Sequence, residues 1–393
     1  MNKDISLNAY VPNEEFILNP KSSGTLNGLK FAVKDLFNIK GHVTGAGNIA
    51  WKEQHSISES NAPVIDMLLN EGAICTGKTI TDEMAFSLDG ENAHYGSPHN
   101  PNCEDCITGG SSSGSVSLVA NKVVDFALGT DTAGSIRVPA SFCGVYGFRP
   151  THNLISTEGV HPLSKSFDVV GWFTTNSDTL EKVGNSLIKD KQNIVNFNDI
   201  ILCSDLFNMV DSKYKLAFKK IIENLNRANY NIETVSIFND KPENIVEILR
   251  TIQWKEFNEV HGEWIVANID SFGEEIRGRI KNIGTVTELD YIREKKNQEI
   301  FINKIENLLL ENKVIIFPTI NDKAPKKGRT IKDARNYRSK FMNYICLSTV
   351  TGLPQVSIPI KNNINFPMGL SILAPRNYDK SLLSFVKSIE SLL

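Results

Sequence analysis

Short apolar runs punctuate this chain, and their periods separate strands from helices. Residues 29–35 alternate apolar and polar as a strand does, with Lys34 at its end. In 62–70, Val64, Met67 and Leu68 recur at i, i+3 and i+4. With Pro63 in the first turn and Gly72 beyond the end, they predict an amphipathic helix. A short strand over 73–76 should follow. Farther along, 169–173 and 198–204 read as strands, 178–188 as a helix capped by Asn176 or Ser177, 212–227 as a helix with Leu216, Ile221, Ile222 and Leu225 on one side, and 233–238 as another strand. Residues 1–27 are polar and broken by Pro12, Pro20 and Gly24, which predicts an irregular lead-in.

Residues 242–313 are helical and charged, and 287–312 contain neither Gly nor Pro; the charge reads as a solvated face. Strands are expected at 314–318, 355–360 and 369–373, helices at 338–349 and 380–393, and an exposed basic loop at 323–335. Strands and helices alternate, with no internal repeat and no Pro/Ser-rich linker. The expectation is an α/β fold in a single large domain, 1–393, with a mixed, mainly parallel β-sheet covered by helices on both faces and 242–312 as a candidate helical insertion.

One stretch, 108–151, asks for more than a structural reading. Its loops 109–115 and 129–137 are built from Gly, Ser and Thr, and they flank the hydrophobic run 123–128. A linker would share that composition but would not bracket a core segment. Such loops expose backbone N–H groups and hydroxyls. A serine hydroxyl is a poor nucleophile unless a base takes its proton and donors receive the charge that develops on the attacked carbonyl. None of the seven histidines lies in a local setting for a Ser-His-Asp triad. A lysine can serve if burial depresses its pKa. Lys34, leaving a hydrophobic strand, is the best placed, although that segment alone reads more simply as ending on a solvated lysine.

Composition narrows the partners. The formal charge of −3, from 42 basic and 45 acidic side chains, argues against a nucleic-acid groove or a polybasic membrane patch. No apolar run approaches the ~20 residues of a membrane span, and the N-terminus lacks a signal-peptide core, so the expected compartment is the cytoplasm. Six scattered cysteines do not form a disulfide framework, and Cys103-Glu-Asp-Cys106 has no second pair at zinc spacing, so it reads as loop cysteines rather than a metal or redox site. Residues 72–79 satisfy the P-loop pattern G-x-x-x-x-G-K-[ST], but the first Gly follows a helix and β-branched residues fall inside the motif. The context is wrong for phosphate binding. Residues 82–101, with Met84, Phe86, Ser87 and Tyr95, could equally wall a substrate pocket or cover the core.

Taken together, the Gly-Gly-Ser-Ser loop at 109–112, the segment GTDTAGSIRVPA at 129–140 and the upstream Val-Lys-Asp at 33–35 resemble the amidase signature family, serine hydrolases with a Ser-Ser-Lys triad. The resemblance is tight over 28–175 and looser elsewhere. It implies the amidase signature fold, with Ser135 as nucleophile, Ser111 as bridging serine and Lys34 as base. It further implies a cis Gly110–Ser111 peptide, an oxyanion hole from the N–H groups of Thr132, Ala133, Gly134 and Ser135, and hydrogen-bonding support from Ser112, Thr130, Asp131 and Arg137. Two positions depart from the usual pattern: Ala133 and Ser113 stand where the family commonly has Gly, and Ala133 would be strained if the backbone there needs a positive φ.

The implied activity is hydrolysis of a small carboxamide to acid and ammonia through an acyl-enzyme, with neither metal nor cofactor, in a monomer or homodimer. Residues 82–96 and 111–144 look closest to the branch containing plant indole-3-acetamide amidases, which points to an arylacetamide or another small primary amide. Two other functions fit the same fold: a non-catalytic binding or receptor module, and the glutamine-amidase subunit of an amidotransferase.

Overall fold

A computed structural model describes residues 7–238, 243–360 and 366–393. Eleven strands run in chain order: β1 (Tyr10–Leu18), β2 (Lys30–Lys34), β3 (Ile74–Thr79), β4 (Phe126–Thr130), β5 (Tyr146–Arg149), β6 (Val170–Thr174), β7 (Asp199–Cys203), β8 (Asn231–Val235), β9 (Val314–Pro318), β10 (Gln355–Pro359) and β11 (Gly369–Leu373). The α-helices are α1 (Ile49–Gln54), α2 (Pro63–Asn70), α3 (Ser113–Ala120), α4 (Arg137–Cys143), α5 (Ser177–Leu187), α6 (Ser204–Met209), α7 (Ser212–Arg227), α8 (Glu243–Ala267), α9 (Glu274–Ile280), α10 (Glu288–Leu308), α11 (Ile331–Thr351) and α12 (Asp379–Ile389). None of the described helices is long and apolar enough to cross a membrane.

All eleven strands join one mixed sheet in the order β1-β3-β2-β4-β6-β5-β10-β11-β9-β7-β8. The α/β class and the mixed sheet agree with expectation; the expected dominance of parallel pairing does not. Parallel ladders are confined to β3-β2-β4 and β9-β7-β8. Six of the ten pairings are antiparallel. The reason lies in the connections. A parallel return needs a crossover, usually a helix. Residues 150–169 between β5 and β6 form no helix, and the span from β10 to β11 is too short for a crossover, so these strands come back antiparallel.

Both faces of the sheet are covered, as the alternation of side chains along a strand requires. Phe31, Val33, Phe126, Leu128 and Trp172 pack with Val64 and Leu68 of α2, Leu180 and Val183 of α5 and Leu382 of α12. Their neighbours Ala32, Ala127 and Phe173 point the other way, onto Val116 and Val119 of α3 and Ala140 of α4. Small residues on that second face let α3 and α4 lie close to the sheet.

Several boundaries move. The lead-in is irregular only in part: residues 19–28 form bends and turns, but Tyr10–Leu18 is β1, which pairs antiparallel with β3 at the sheet edge, where Pro12 is tolerated because an edge strand need not donate every N–H. The loop at 323–335 is less exposed than expected. Ala324 is buried, Gly328 N–H donates to Glu91, and Ile331 opens α11, capped by the Thr330 side chain. The helical stretch from 242 appears as α8, α9 and α10, with Pro242 itself outside the described residues; its charge is not all solvated, because Glu256 and Glu294 are buried.

The P-loop pattern is a strand here: Gly77, Lys78 and Thr79 belong to β3, and Lys78 is buried with Nζ 2.9 Å from Asp35. Cys103 and Cys106, expected as unpaired loop cysteines, form a disulfide. The turn set by Asn100, which accepts from Asn102 N–H and donates to Ile107 O, brings their Cα atoms to 5.2 Å, within bridging range. The other four cysteines are free and buried.

Candidate active site

Lys34 is the last residue of β2, and Thr130 the last of β4, its parallel neighbour; Val33 stands opposite Leu128 in the ladder. The two therefore emerge side by side at the carboxyl ends of parallel strands, where open α/β sheets commonly bind ligands. Lys34 Nζ lies 2.8 Å from Thr130 Oγ1 and 2.6 Å from Ser111 Oγ. Ser111 Oγ lies 3.0 Å from Ser135 Oγ. The sequence residues Lys34, Ser111 and Ser135 thus form one hydrogen-bonded row, and all three are buried.

The Gly/Ser composition of the first loop now has a physical cause. Ser112 Oγ donates to Thr130 O at the end of β4, Ser113 Oγ to Ile80 O just past β3, and Ser115 Oγ to Leu128 O within β4. Gly114 passes so close to Ala9 that an added Cβ would stand 2.2 Å from its carbonyl oxygen. The serines at 112, 113 and 115, Ser113 among them, therefore bolt the start of α3 to the sheet and leave Ser111 directed at Lys34. The Gly110–Ser111 bond is cis, as the resemblance implied. Leu88 O accepts the Gly110 N–H, and Asp82 N–H donates to Ser111 O.

The second loop is organised by Asp131. Its carboxylate accepts from the N–H groups of Gly134, Ile136 and Arg137, and from Nε and Nη2 of the Arg137 guanidinium. Arg137 also donates to Ile345 O and Gln355 Oε1 through Nη1, and to Thr349 Oγ1 through Nη2. Arg149 donates to Asp131 O, Phe167 O and Ser348 Oγ. These contacts revise the expected donor set. Gly134 N–H is engaged by Asp131 at 2.7 Å, whereas among the described residues no protein acceptor takes the N–H groups of Thr132, Ala133 or Ser135. The backbone of Ala133 is not in the left-handed region; the positive φ, 104°, falls on Gly134, so the substitution at 133 carries no backbone strain. A Cβ at Gly134 would also come within 2.9 Å of Ile345.

Electrostatics follow burial. Desolvation pulls the Lys34 amine down from the ordinary lysine value to about 7, while Asp82, Asp131 and Asp168 favour its charged form. Burial likewise pushes Asp82 up to about 7 against the Gly90 N–H that its carboxylate accepts, and its Oδ1 has no partner. Asp168 rises to about 6 through burial, opposed by hydrogen bonds from Thr132 Oγ1 and the N–H groups of Leu163 and Ser164. Asp131 goes the other way. Burial would raise it, but the charges of Arg137 and Arg149 hold it well below the usual carboxylate range.

A cavity of about 240 Å³ adjoins this row, lined by Thr130, Thr132, Leu36, His161, Leu163 and Asp168 among others. Its inner wall is the loop 153–169, not the segment 84–95. Met84 and Phe86 are buried in an apolar cluster with Phe257, Ile265 and Ile276, Phe86 stacking on Phe257 at 4.5 Å. Ser87 is buried beside Asp89, and Tyr95 is half-buried near Asn8. Sequence reading missed Arg149, Asp168, Asp82 and His161. The signal for Arg149 was a charged residue closing an apolar strand; the others sit in loops with no local pattern.

Comparison with known proteins points one way. The family model described as Amidase matches residues 13–383. Amidase 1 of Arabidopsis thaliana is 35% identical, with 97% of this chain and 97% of that protein covered. Indoleacetamide hydrolase of Pseudomonas syringae pv. syringae is 29% identical, with 94% and 86% covered. A solved crystal structure of an amidase superposes with a TM-score of 0.86 at 26% identity, covering 95% of this chain and 86% of that one.

Proposed function

Because this chain belongs to the amidase family, we propose that it hydrolyses a small carboxamide through an acyl-enzyme on Ser135, with Ser111 as proton bridge and Lys34 as base. The observation that carries the reading is the unbroken row Lys34 Nζ–Ser111 Oγ–Ser135 Oγ, at 2.6 and 3.0 Å, ending on a buried lysine whose amine titrates near 7. An ordinary lysine is protonated at neutral pH and cannot accept a proton. This one is close to half neutral, which suits a general base.

In the first step the Ser135 oxygen forms a bond to the amide carbon as its proton passes to Ser111, whose own proton passes to Lys34. The carbonyl π electrons move onto oxygen, and the N–H groups of Thr132, Ala133 and Ser135 receive that charge. The intermediate collapses with cleavage of the C–N bond. The leaving amine takes a proton from Ser111, which is restored from Lys34. Water then attacks the Ser135 ester by the same relay, releasing the acid and regenerating the hydroxyl. Asp131 fixes the loop that presents the donors, and Thr130 Oγ1 gives the lysine a second fixed partner. The likeness to indoleacetamide hydrolase supports an arylacetamide, such as indole-3-acetamide, as the substrate class, and the cavity of about 240 Å³ beside Thr132 has room for a small amide.

The test is ammonia release from indole-3-acetamide and a panel of aryl and aliphatic primary amides, with Ser135→Ala as control. A fluorophosphonate should label Ser135 in the native protein. No turnover on any amide together with no labelling would sink this reading in favour of a binding module on the same fold.

A further inference from the structure

Two of the N–H groups offered to the oxyanion, those of Thr132 and Ala133, belong to the peptides on either side of one Cα atom, that of Thr132. Peptide planes are rigid, so how this residue is held decides where both donors aim. The first plane is anchored: Arg149 donates to Asp131 O, and the Thr132 N–H points from the opposite side of the same trans peptide. The second has no such anchor. Among the described residues no protein donor takes Thr132 O, and no protein acceptor takes the Ala133 N–H. What fixes the buried Thr132 is its side chain, whose Oγ1 donates to Asp168 Oδ1 at 2.6 Å.

Asp168 is itself held from three sides. On one side of it Phe167 O accepts from Arg149 Nη2 at 3.0 Å, and on the other Val169 O accepts the Asp131 N–H at 3.0 Å. Its second oxygen, Oδ2, accepts the N–H groups of Leu163 and Ser164 at 2.8 and 2.9 Å, which closes 163–168 into a turn. From outside, the buried Glu256 of α8 grips that turn: it accepts from Ser164 Oγ at 2.5 Å, from Ser166 N–H at 3.0 Å and from Ser166 Oγ at 2.6 Å. Ser164 is shared, its N–H on Asp168 and its hydroxyl on Glu256. Burying two neighbouring carboxylates works against both, and neutral groups could close a turn. The acids supply charge-assisted bonds, shorter and about twice as strong as neutral ones, where a hydroxyl has to be held in one direction.

We propose that Asp168 is a positioning residue for the hydrolysis: by fixing Thr132 Oγ1 it aims the N–H groups of Thr132 and Ala133 at the oxyanion, from a turn that Glu256 holds in place. This role rests on the reading of Ser135 as the acyl acceptor. Because the Thr132 hydroxyl is engaged by Asp168, its loss should be felt in the transition state and not in ground-state binding.

Thr132→Val removes the hydroxyl at nearly equal size, and Thr132→Ser keeps it. On the amide that the native protein hydrolyses fastest, kcat should fall about 10- to 100-fold in Thr132→Val with KM within about threefold, while Thr132→Ser keeps most of the native kcat. Phenylboronic acid gives a second readout: a lone pair of the Ser135 oxygen bonds to boron as the serine proton passes along the row to Lys34, leaving a tetrahedral anion where the oxyanion would form. Its inhibition constant should weaken in Thr132→Val by about the same factor as kcat/KM. If Thr132→Val does not fold, Thr132→Ala removes the same bond with no added bulk and carries the same expectations. A folded variant whose kcat stays within about threefold of native, a loss confined to KM, or an unchanged boronate affinity beside a fallen kcat would each overturn the inference. Native turnover with an indifferent Thr132→Val would overturn it alone; a native protein with neither turnover nor fluorophosphonate labelling would take the catalytic reading down as well.

Discussion

Asp131 Oδ1 lies 2.7 Å from the Gly134 nitrogen while the same carboxylate grips the Arg137 guanidinium, so one acid fixes both the turn before Ser135 and the helix after it. Replacing it with Asn removes the charge between two fully buried arginines, Arg137 and Arg149. Breaking a buried pair in this way costs about 3–5 kcal/mol. Asp131→Asn should therefore lower the melting temperature sharply, and a thermal scan beside the wild type decides it. The pH sign is also set. The folded carboxyl titrates below its unfolded value, so its stabilisation is complete above the ordinary carboxylate range and is lost only as pH falls through the folded value.

Removing any member of the row should abolish turnover. Lys34→Ala, Ser111→Ala and Ser135→Ala are each expected to lower kcat/KM by ~10³-fold or more, and Ser111→Ala/Ser135→Ala should be little worse than the worse single variant, because the groups act as a unit. Additive losses in steady-state assays would contradict the relay.

The acid limb of the pH profile follows from Lys34. Below about 7 its amine is protonated and cannot accept from Ser111, so kcat/KM should fall as pH drops through that value. Asp82, Asp131 and Asp168 all favour the protonated amine. Asp82→Asn removes one of those charges, and the limb should move to lower pH; movement the other way would refute the assignment.

Lys78 separates a structural lysine from a nucleotide-binding one. Its Nζ reaches Asp35 at 2.9 Å and Val43 O at 2.8 Å inside the protein. Lys78→Ala should cost about 3–5 kcal/mol in urea unfolding, and Mg-ATP should leave the melting temperature of the wild type unchanged.

Lys34, Ser111 and Ser135 were legible because chemistry left a compositional mark: small residues crowd around hydroxyls where backbone must approach backbone. The set that supports them was not legible. Asp168 reaches Thr132, and Arg149 reaches Ser348, by contacts between segments far apart in the chain, and no local period encodes such pairing. Helices declared themselves by a cap, as with Asn176 on α5, or by apolar spacing, as with α7, whose Asp211 cap only the structure shows. Strand direction did not, because it depends on what lies between strands; 150–169 lacks a crossover helix, and β6 ran antiparallel. β1 was hidden by Pro12, a breaker in most settings and harmless at an edge.

The partners of the Arg137 guanidinium beyond Asp131 are Ile345 O, Thr349 Oγ1 and Gln355 Oε1, all on α11 and β10. The segment 28–175 contains every hydroxyl and amine of the row, yet it is not portable. Cut free of residue 345 onward, it would carry a buried cation stripped of three of its five side-chain hydrogen bonds, and the loop bearing Ser135 would lose its outer brace. Chimeras that exchange the C-terminal third between relatives must therefore carry acceptors for this arginine across the junction, however far that junction lies from the serines.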